Sequence, residues 1–289
     1  GKGIVDHPSQ GAARTFASIV AVDTFRGLSS IYAKPDYYGQ GGISIRGQTS
    51  AGFPKKPYRL ELQDATGFDR NSKLFGLPEG ADWVLNNPYS DKPFLQNFLA
   101  QELFEKMGHY AVRRRFVEVF INTAANSKVT YANSYAGVYL LLEKIKIDSD
   151  RVDYQRLSPY DTALPDISGG YMFKKDKDSS GDRNFSTVGG GGFSGQSLKI
   201  HEPHPAEITT AQVNWIQSYL RAFETALYAT DWKTRTGTNH YSYYIDINSF
   251  VDQHWIVEYA KQIDGYRLSN YMGKDRNGKI KMEPIWDYN

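Results

Sequence analysis

Three side chains near the C-terminal end have types and spacing that suit phosphoryl transfer. Asp264 lies in Ile263-Asp264-Gly265-Tyr266-Arg267, Asn270 follows six residues later, and Asp287 comes 23 residues after Asp264. A protein kinase needs parts of this kind. One loop carboxylate orients the acceptor hydroxyl and receives its proton, and a nearby amide helps to hold a metal. A second carboxylate, beyond a hairpin, holds the metal that bridges the nucleotide phosphates. Oxygen donors of this sort suit Mg²⁺ or Mn²⁺. The spacing departs from the usual one. Kinases place the amide five residues on, and a glycine follows the metal-holding acid where Tyr288 stands here. A plainer reading stays open: Asp264 caps a turn, and Asp287 pairs with a nearby lysine or arginine.

The elements that must position these groups can be read from periodicity. A helical pattern over 249–261, opened by Ser249-x-x-Asp252, delivers Asp264 into a loop loosened by Gly265. A polar turn at 275–278 then leads into Lys279-Ile-Lys-Met, a short alternating strand ended by Pro284, and Trp286 sets Asp287 on an aromatic shoulder. Earlier in the chain, 42–46, 58–62, 81–85, 116–121 and 135–142 read as strands. A helix is expected over 92–107, with Asp91 as N-cap and Gly108 as C-cap. Its predicted buried stripe is Phe94, Leu95, Phe98, Leu99, Leu103 and Met107, with Glu102 on the border. A further helix is expected over 210–228, with Val213, Ile216, Leu220, Phe223 and Leu227 inward. The Asp/Ser/Gly-rich stretch 176–197 is expected to be a mobile loop. The order predicts an α+β chain of two unequal lobes, a β-rich one to about 142 and a larger helical one from 143, with a ligand cleft between them.

Composition narrows the classes. The chain has 289 residues, 40% of them hydrophobic and 23% charged, as expected of a folded globular protein. A formal net charge of +2 makes no case for nucleic acid or an anionic membrane. No apolar run approaches a membrane span, and no signal-peptide core is present; the Gly1-Lys2-Gly3 start has the look of a trimmed end. Without cysteine, disulfide, thiol and Cys-metal chemistry are excluded. Aromatic content of 14% fits a β-rich protein, and the triplet Arg113-Arg114-Arg115 reads as a solvated strand entry.

Six blocks carry a resemblance over nearly the whole chain: "IRGQTSAGFPKKPYRLEL", "LPEGADWVLNNPYSDKPFLQNFLAQELFEKMG", "FVEVFIN", "YAGVYLLLEKIKIDSDRV", "GGYMFKKD" and "DGYRLSNYMGKDRNGKIKMEPIWDYN". In this order they resemble the spore coat protein H (CotH) kinases, atypical protein-kinase-like enzymes. The resemblance implies a single two-lobed kinase domain with an αC-like helix in the small lobe. It also implies ATP and a divalent metal as cofactors, and a Ser/Thr-containing protein substrate in a spore coat, at a cell surface or secreted. It matches Asp264 to the catalytic-loop acid and Asp287 to the metal-binding acid of a Trp-Asp pair. Asn289 stands where family members often carry a second acid, and the chain stops where they continue, so a truncated C-terminal lobe is expected.

Geometry and resemblance together extend the site. A kinase holds the nucleotide phosphates with a strand lysine that a helix glutamate fixes. Lys56 shares parity with Tyr58, Leu60 and Leu62, while Lys55, Arg59 and Glu61 share the other side, so Lys56 points inward if the strand runs before Pro57. Glu102 is its expected partner, Arg46 in the "RGQTS" turn is a phosphate contact, and Glu143 stands where a kinase hinge meets adenine. Two alternatives stay open: a catalytically idle, kinase-shaped coat or surface protein, and transfer of AMP from the same site.

Other signals fall short. Asp176, Asp178, Ser180, Gly181 and Asp182 approach a calcium loop, but Thr187 stands where glutamate is needed. "GGGGFSG" lacks the Lys-Ser/Thr of a P-loop and reads as slack. "HEPH" at His201 and His204 is too short and Pro-bound for a zinc helix, and His254 reads as a packing or capping residue.

Overall fold

A computed structural model describes residues 14–23, 28–124 and 128–288. The chain is α+β and divides into two compact units, Gly1–Phe94 with Val112–Lys144, and Leu95–Ala111 with Ile145–Asn289. No helix among the described residues is long and apolar enough to cross a membrane.

The first unit is a six-stranded antiparallel sheet: β1 (Thr15–Ala21), β2 (Tyr37–Ile45), β3 (Tyr58–Gln63), β4 (Asp82–Asn86), β5 (Arg114–Phe120) and β6 (Tyr135–Glu143). Their order is β1-β2-β3-β4-β6-β5. Period-two alternation sends Ile43, Leu60, Leu62, Trp83, Leu85, Tyr139 and Leu141 to one face, where they form the core. The opposite face is polar along β2 and β3, with Ser44, Arg59 and Glu61, and apolar toward β6. Along one row across it, Ser44 pairs with Arg59, Arg59 with Val84, Val84 with Leu142 and Leu142 with Arg114. The triplet at 113–115 is therefore not a solvated strand entry. Arg114 is buried and donates to the Val112 carbonyl at 3.2 Å, and Arg113 binds Glu143. A one-turn helix α2 (Tyr131–Ser134) precedes β6.

The second unit holds the three long helices, two of them where the sequence placed them, and also a sheet larger than the terminal hairpin expected there. Helix α1 (Gln96–Lys106) lies in it, and so does a five-stranded sheet of order β13-β12-β7-β11-β8. Its strands are β7 (Tyr171–Lys175), β8 (Asn184–Ser186), β11 (Ser197–Glu202), β12 (Asn270–Lys274) and β13 (Ile280–Lys281). Helix α3 (Thr210–Leu227) covers one face through Val213, Ile216 and Leu220, packed on Tyr171, Phe173, Leu198 and Ile200. Helix α4 (Ile247–Ala260) packs with α1 in a second cluster that also takes in Ile285 and Tyr288.

Four local expectations change. Helix α1, placed with the first-half strands by sequence, packs within the second unit. It also buries Asn97, Ala100, Gln101 and Phe104 rather than the Leu95/Leu99/Met107 stripe, which is exposed. The reason is polar: Asn97 Oδ1 accepts from the Tyr288 backbone N–H at 2.9 Å, which turns this face inward. Helix α4 starts earlier than expected because Asp246, not Ser249, is the N-cap and accepts from the Ser249 N–H. The 176–197 stretch is ordered, holding β8 and a small hairpin of β9 (Gly189–Gly190) and β10 (Phe193–Ser194). Its glycines are not slack: a Cβ on Gly190 or Gly191 would fall 2.4 or 2.7 Å from the Tyr228 ring, and Glu224 accepts from the Val188 and Gly189 N–H groups.

The near-calcium loop has its own cation. Lys199 is 1% exposed, and its amine binds Asp178 and reaches Asp182 at 3.2 Å, so two of the acids that approach a calcium loop already have a cation.

Candidate active site

Asp264 sits in the turn that follows α4. Its backbone carbonyl accepts from the N–H groups of Arg267 and Leu268, and its carboxylate from the Arg267 guanidinium at 2.7 and 3.0 Å. The carboxylate is 43% exposed, so this pair is a solvated one and leaves the acid reachable. Gly265 does not loosen the loop. A Cβ there would lie 2.6 Å from Val257 Cγ1, so glycine allows the turn to lie directly on α4.

Asp287 projects from a stretch that is otherwise buried: Ile285, Trp286 and Tyr288 are 3%, 8% and 6% exposed, whereas Asp287 itself is exposed. Its φ is +67°, in the left-handed region that a non-glycine residue occupies at a cost of about 1–2 kcal/mol. Two anchors hold this backbone. Tyr288 N–H donates to Asn97 of α1, and the Gln262 amide donates to the Asp287 carbonyl. Gln262 Oε1 also accepts from the Asp264 N–H at 3.3 Å. One glutamine side chain thus joins the backbones of both candidate acids.

Asn270 opens β12. Its Oδ1 accepts from Gln253 Nε2 at 3.1 Å, and the same amine group lies 3.4 Å from the Gly265 carbonyl. Gln253, on α4, therefore ties Asn270 to the Asp264 loop. Gln253, Gly265, Asn270, Trp286 and Tyr288 are among the residues lining a small cavity of about 10 Å³, the size of a single water. Asn289, the remaining sequence-derived metal ligand, lies outside the described residues.

Among the described residues no three His, Asp or Glu side chains are clustered to hold a metal. Mg²⁺ seldom needs such a cage, being held by one or two carboxylates with substrate phosphates and waters. The exposed Asp287 carboxylate and the Asn270 amide fit that mode.

The first unit carries three of the other candidates. Lys56 precedes β3, which begins at Tyr58, and its amine donates to the Ala51 carbonyl at 2.7 Å. Arg46 continues the polar parity of Ser44, and its N–H donates to the Pro57 carbonyl. Glu143 is fully buried and accepts from the Arg113 N–H at 3.0 Å and from its guanidinium at 3.3 Å. Glu102, in the second unit, is half-exposed and pairs with Lys106 at 3.5 Å.

Sequence reasoning passed over Arg59 and Lys55. Arg59 lies mid-strand on the polar face. Burial, with Arg46 and Arg14 close by, pulls its guanidinium below the ordinary arginine range against the opposing pull of Asp82 and Glu61. Lys55 donates to the Val138 carbonyl and lies over the Tyr139 ring at 4.5 Å, and burial lowers its pKa. The signal was present in the alternation of Tyr58-Arg-Leu-Glu-Leu, which sets Arg59 opposite the core.

Residues 43–289 match the family described as CotH kinase protein. The chain belongs to the CotH kinase family. No match is found among curated proteins. The CotH kinase match contains every candidate discussed above except Arg14, from Ser44 and Arg46 through Asp264 to Asp287.

Proposed function

We propose that this CotH kinase family member transfers the γ-phosphate of ATP to Ser or Thr hydroxyls of a protein substrate, such as a coat or cell-surface protein. The two units serve as the small and large lobes of one atypical kinase domain. The observation that carries the reading is the Gln262 bridge, which fixes an accessible loop acid, Asp264, next to an accessible acid in a left-handed backbone, Asp287.

In this reading Asp264 accepts the proton of the acceptor hydroxyl as its oxygen attacks the γ-phosphorus, and ADP leaves with the bridging oxygen. Asp287, with Asn270 and Asn289, holds Mg²⁺ or Mn²⁺. That ion, when bound, neutralises charge on the phosphates. Arg267 keeps the Asp264 carboxylate oriented. Lys56 and Arg46 steady the nucleotide phosphates, with Glu102 and Glu143 in supporting roles.

The test is transfer from labelled ATP with Mg²⁺ or Mn²⁺ to a generic Ser-rich protein substrate. Label arriving from the γ position, and lost in both Asp264→Asn and Asp287→Asn, supports the reading. Label arriving from the α position replaces it with AMP transfer. No transfer from either position, with both metals supplied, leaves a binding protein shaped like a kinase.

A further inference from the structure

The polar face of the first unit holds two side-chain donors without a hydrogen-bond partner among the described residues. Ser44 is 0% exposed, and its hydroxyl has no hydrogen-bond partner. Directly across the β2–β3 ladder stands Arg59, half-buried, whose guanidinium makes no ion pair or side-chain hydrogen bond among the described residues. Residues paired across antiparallel strands share a face, so the two donors are neighbours. Arg46 extends the same side, adding charge. Arg14 differs in being balanced: it reaches Glu61 at 2.5 Å. It does so by lying across Gly42, where a Cβ would meet its side chain at 2.7 Å. The one carboxylate on this part of β3 is thus engaged by Arg14, and Asp82 on β4, the other carboxylate near Arg59, pairs with Lys144 at 3.4 Å.

Leaving a hydroxyl and a guanidinium desolvated and unpaired is costly, and such a pair persists where a ligand completes it. Arginine's planar fork and a hydroxyl donor suit the oxygens of a tetrahedral oxyanion. We propose that Ser44 and Arg59, with Arg46 alongside, form a binding site for a phosphoryl group. Arg59, rather than Lys56, is its principal cation, since the Lys56 amine is spent on the Ala51 carbonyl. Only the assignment of that phosphoryl group to a nucleotide rests on the kinase reading; the oxyanion site stands on the sheet geometry.

The test uses the full chain, without metal and at low chloride, and measures binding of tripolyphosphate and of ATP by calorimetry. Tripolyphosphate is expected to bind the wild type. Arg59→Met is expected to weaken it about tenfold or more, the loss of one charge-assisted contact, with Arg59→Lys falling between and Ser44→Ala weakening it less. The ligand-free melting temperatures of Arg59→Met and Ser44→Ala should equal or exceed that of the wild type, because each removes an unpaired buried donor. A satisfied structural arginine would give the opposite sign. Wild-type affinity retained in Arg59→Met, or no tripolyphosphate binding by the wild type, overturns the proposal. Tripolyphosphate binding without ATP binding leaves the site standing and removes the nucleotide. Phosphate transfer that persists unchanged in Arg59→Met keeps the kinase reading and overturns the assignment of this site to the nucleotide.

Discussion

Gln262 holds Asp287 by its backbone carbonyl and Asp264 by its backbone N–H, one end of the amide on each. The two acids are 23 residues apart in sequence. Their register therefore depends on a side chain that reacts with nothing. Gln262→Ala removes both contacts, each worth about 1 kcal/mol. It should lower the rate of γ-phosphate transfer at saturating Mg-ATP by about 10- to 30-fold, with a modest drop in melting temperature. Gln262→Glu keeps the acceptor for Asp264 and loses the donor to Asp287, so it should fall between. Equal rates in all three proteins would show that the loops hold their register without this residue.

Asp287 offers a cleaner separation of stability from chemistry. Its φ of +67° suits glycine better than aspartate. Asp287→Gly should therefore keep or raise the melting temperature, gaining up to about 1 kcal/mol, while abolishing metal-dependent ATP binding in a calorimetric titration. A marked fall in stability would reveal an acid needed by the fold, and the metal role would lose its support.

Helix α1 tests which face the fold uses. Phe104 is 0% exposed and packs on the α4 cluster, whereas Leu99 is 50% exposed. Phe104→Ala should cost about 3–5 kcal/mol in urea unfolding, and Leu99→Ala under about 0.5 kcal/mol. Similar losses for the two would restore the stripe read from hydrophobicity alone.

That helix also shows why some of the structure was legible and some was not. Helix α3 was readable because Val213, Ile216 and Leu220 repeat at helical spacing behind a Thr209 cap. In α1 the buried positions include Asn97 and Gln101, which a hydrophobic count assigns to solvent. Strands β7 and β11 went unread for a related reason: each carries a lysine, Lys174 matched by Asp176 two residues on and Lys199 by Asp178, 21 residues earlier. Asp264 and Asp287 stood out because each lies in a short loop beside recognisable elements. Gln262 did not, since its partners are set by tertiary contact, and neither did Arg59, whose meaning depends on the strand opposite.

Lys274 supplies a prediction about pH. It is 1% exposed, with its amine on the Ser168 and Gly278 carbonyls at 2.6 and 2.8 Å and over the Tyr219 ring at 4.5 Å. Burial pulls its pKa down from 10.5 to about 8, only partly opposed by Asp275. Below pH 8 the lysine is protonated whether the chain is folded or unfolded, and the desolvation penalty acts in full. Between 8 and 10.5 the folded lysine is neutral while the unfolded one still binds a proton, so stability rises with pH across that window. Above about pH 10 buried tyrosines such as Tyr219, whose pKa burial raises, take stability back as unfolded tyrosines ionise. The usable range is thus pH 7.5 to 9.5, over which Lys274 should add about 2 kcal/mol. Urea unfolding at these two pH values should show that rise in the wild type and its loss in Lys274→Met. Parallel pH dependence in the two proteins would mean that the carbonyls and rings hold the buried lysine in its charged form.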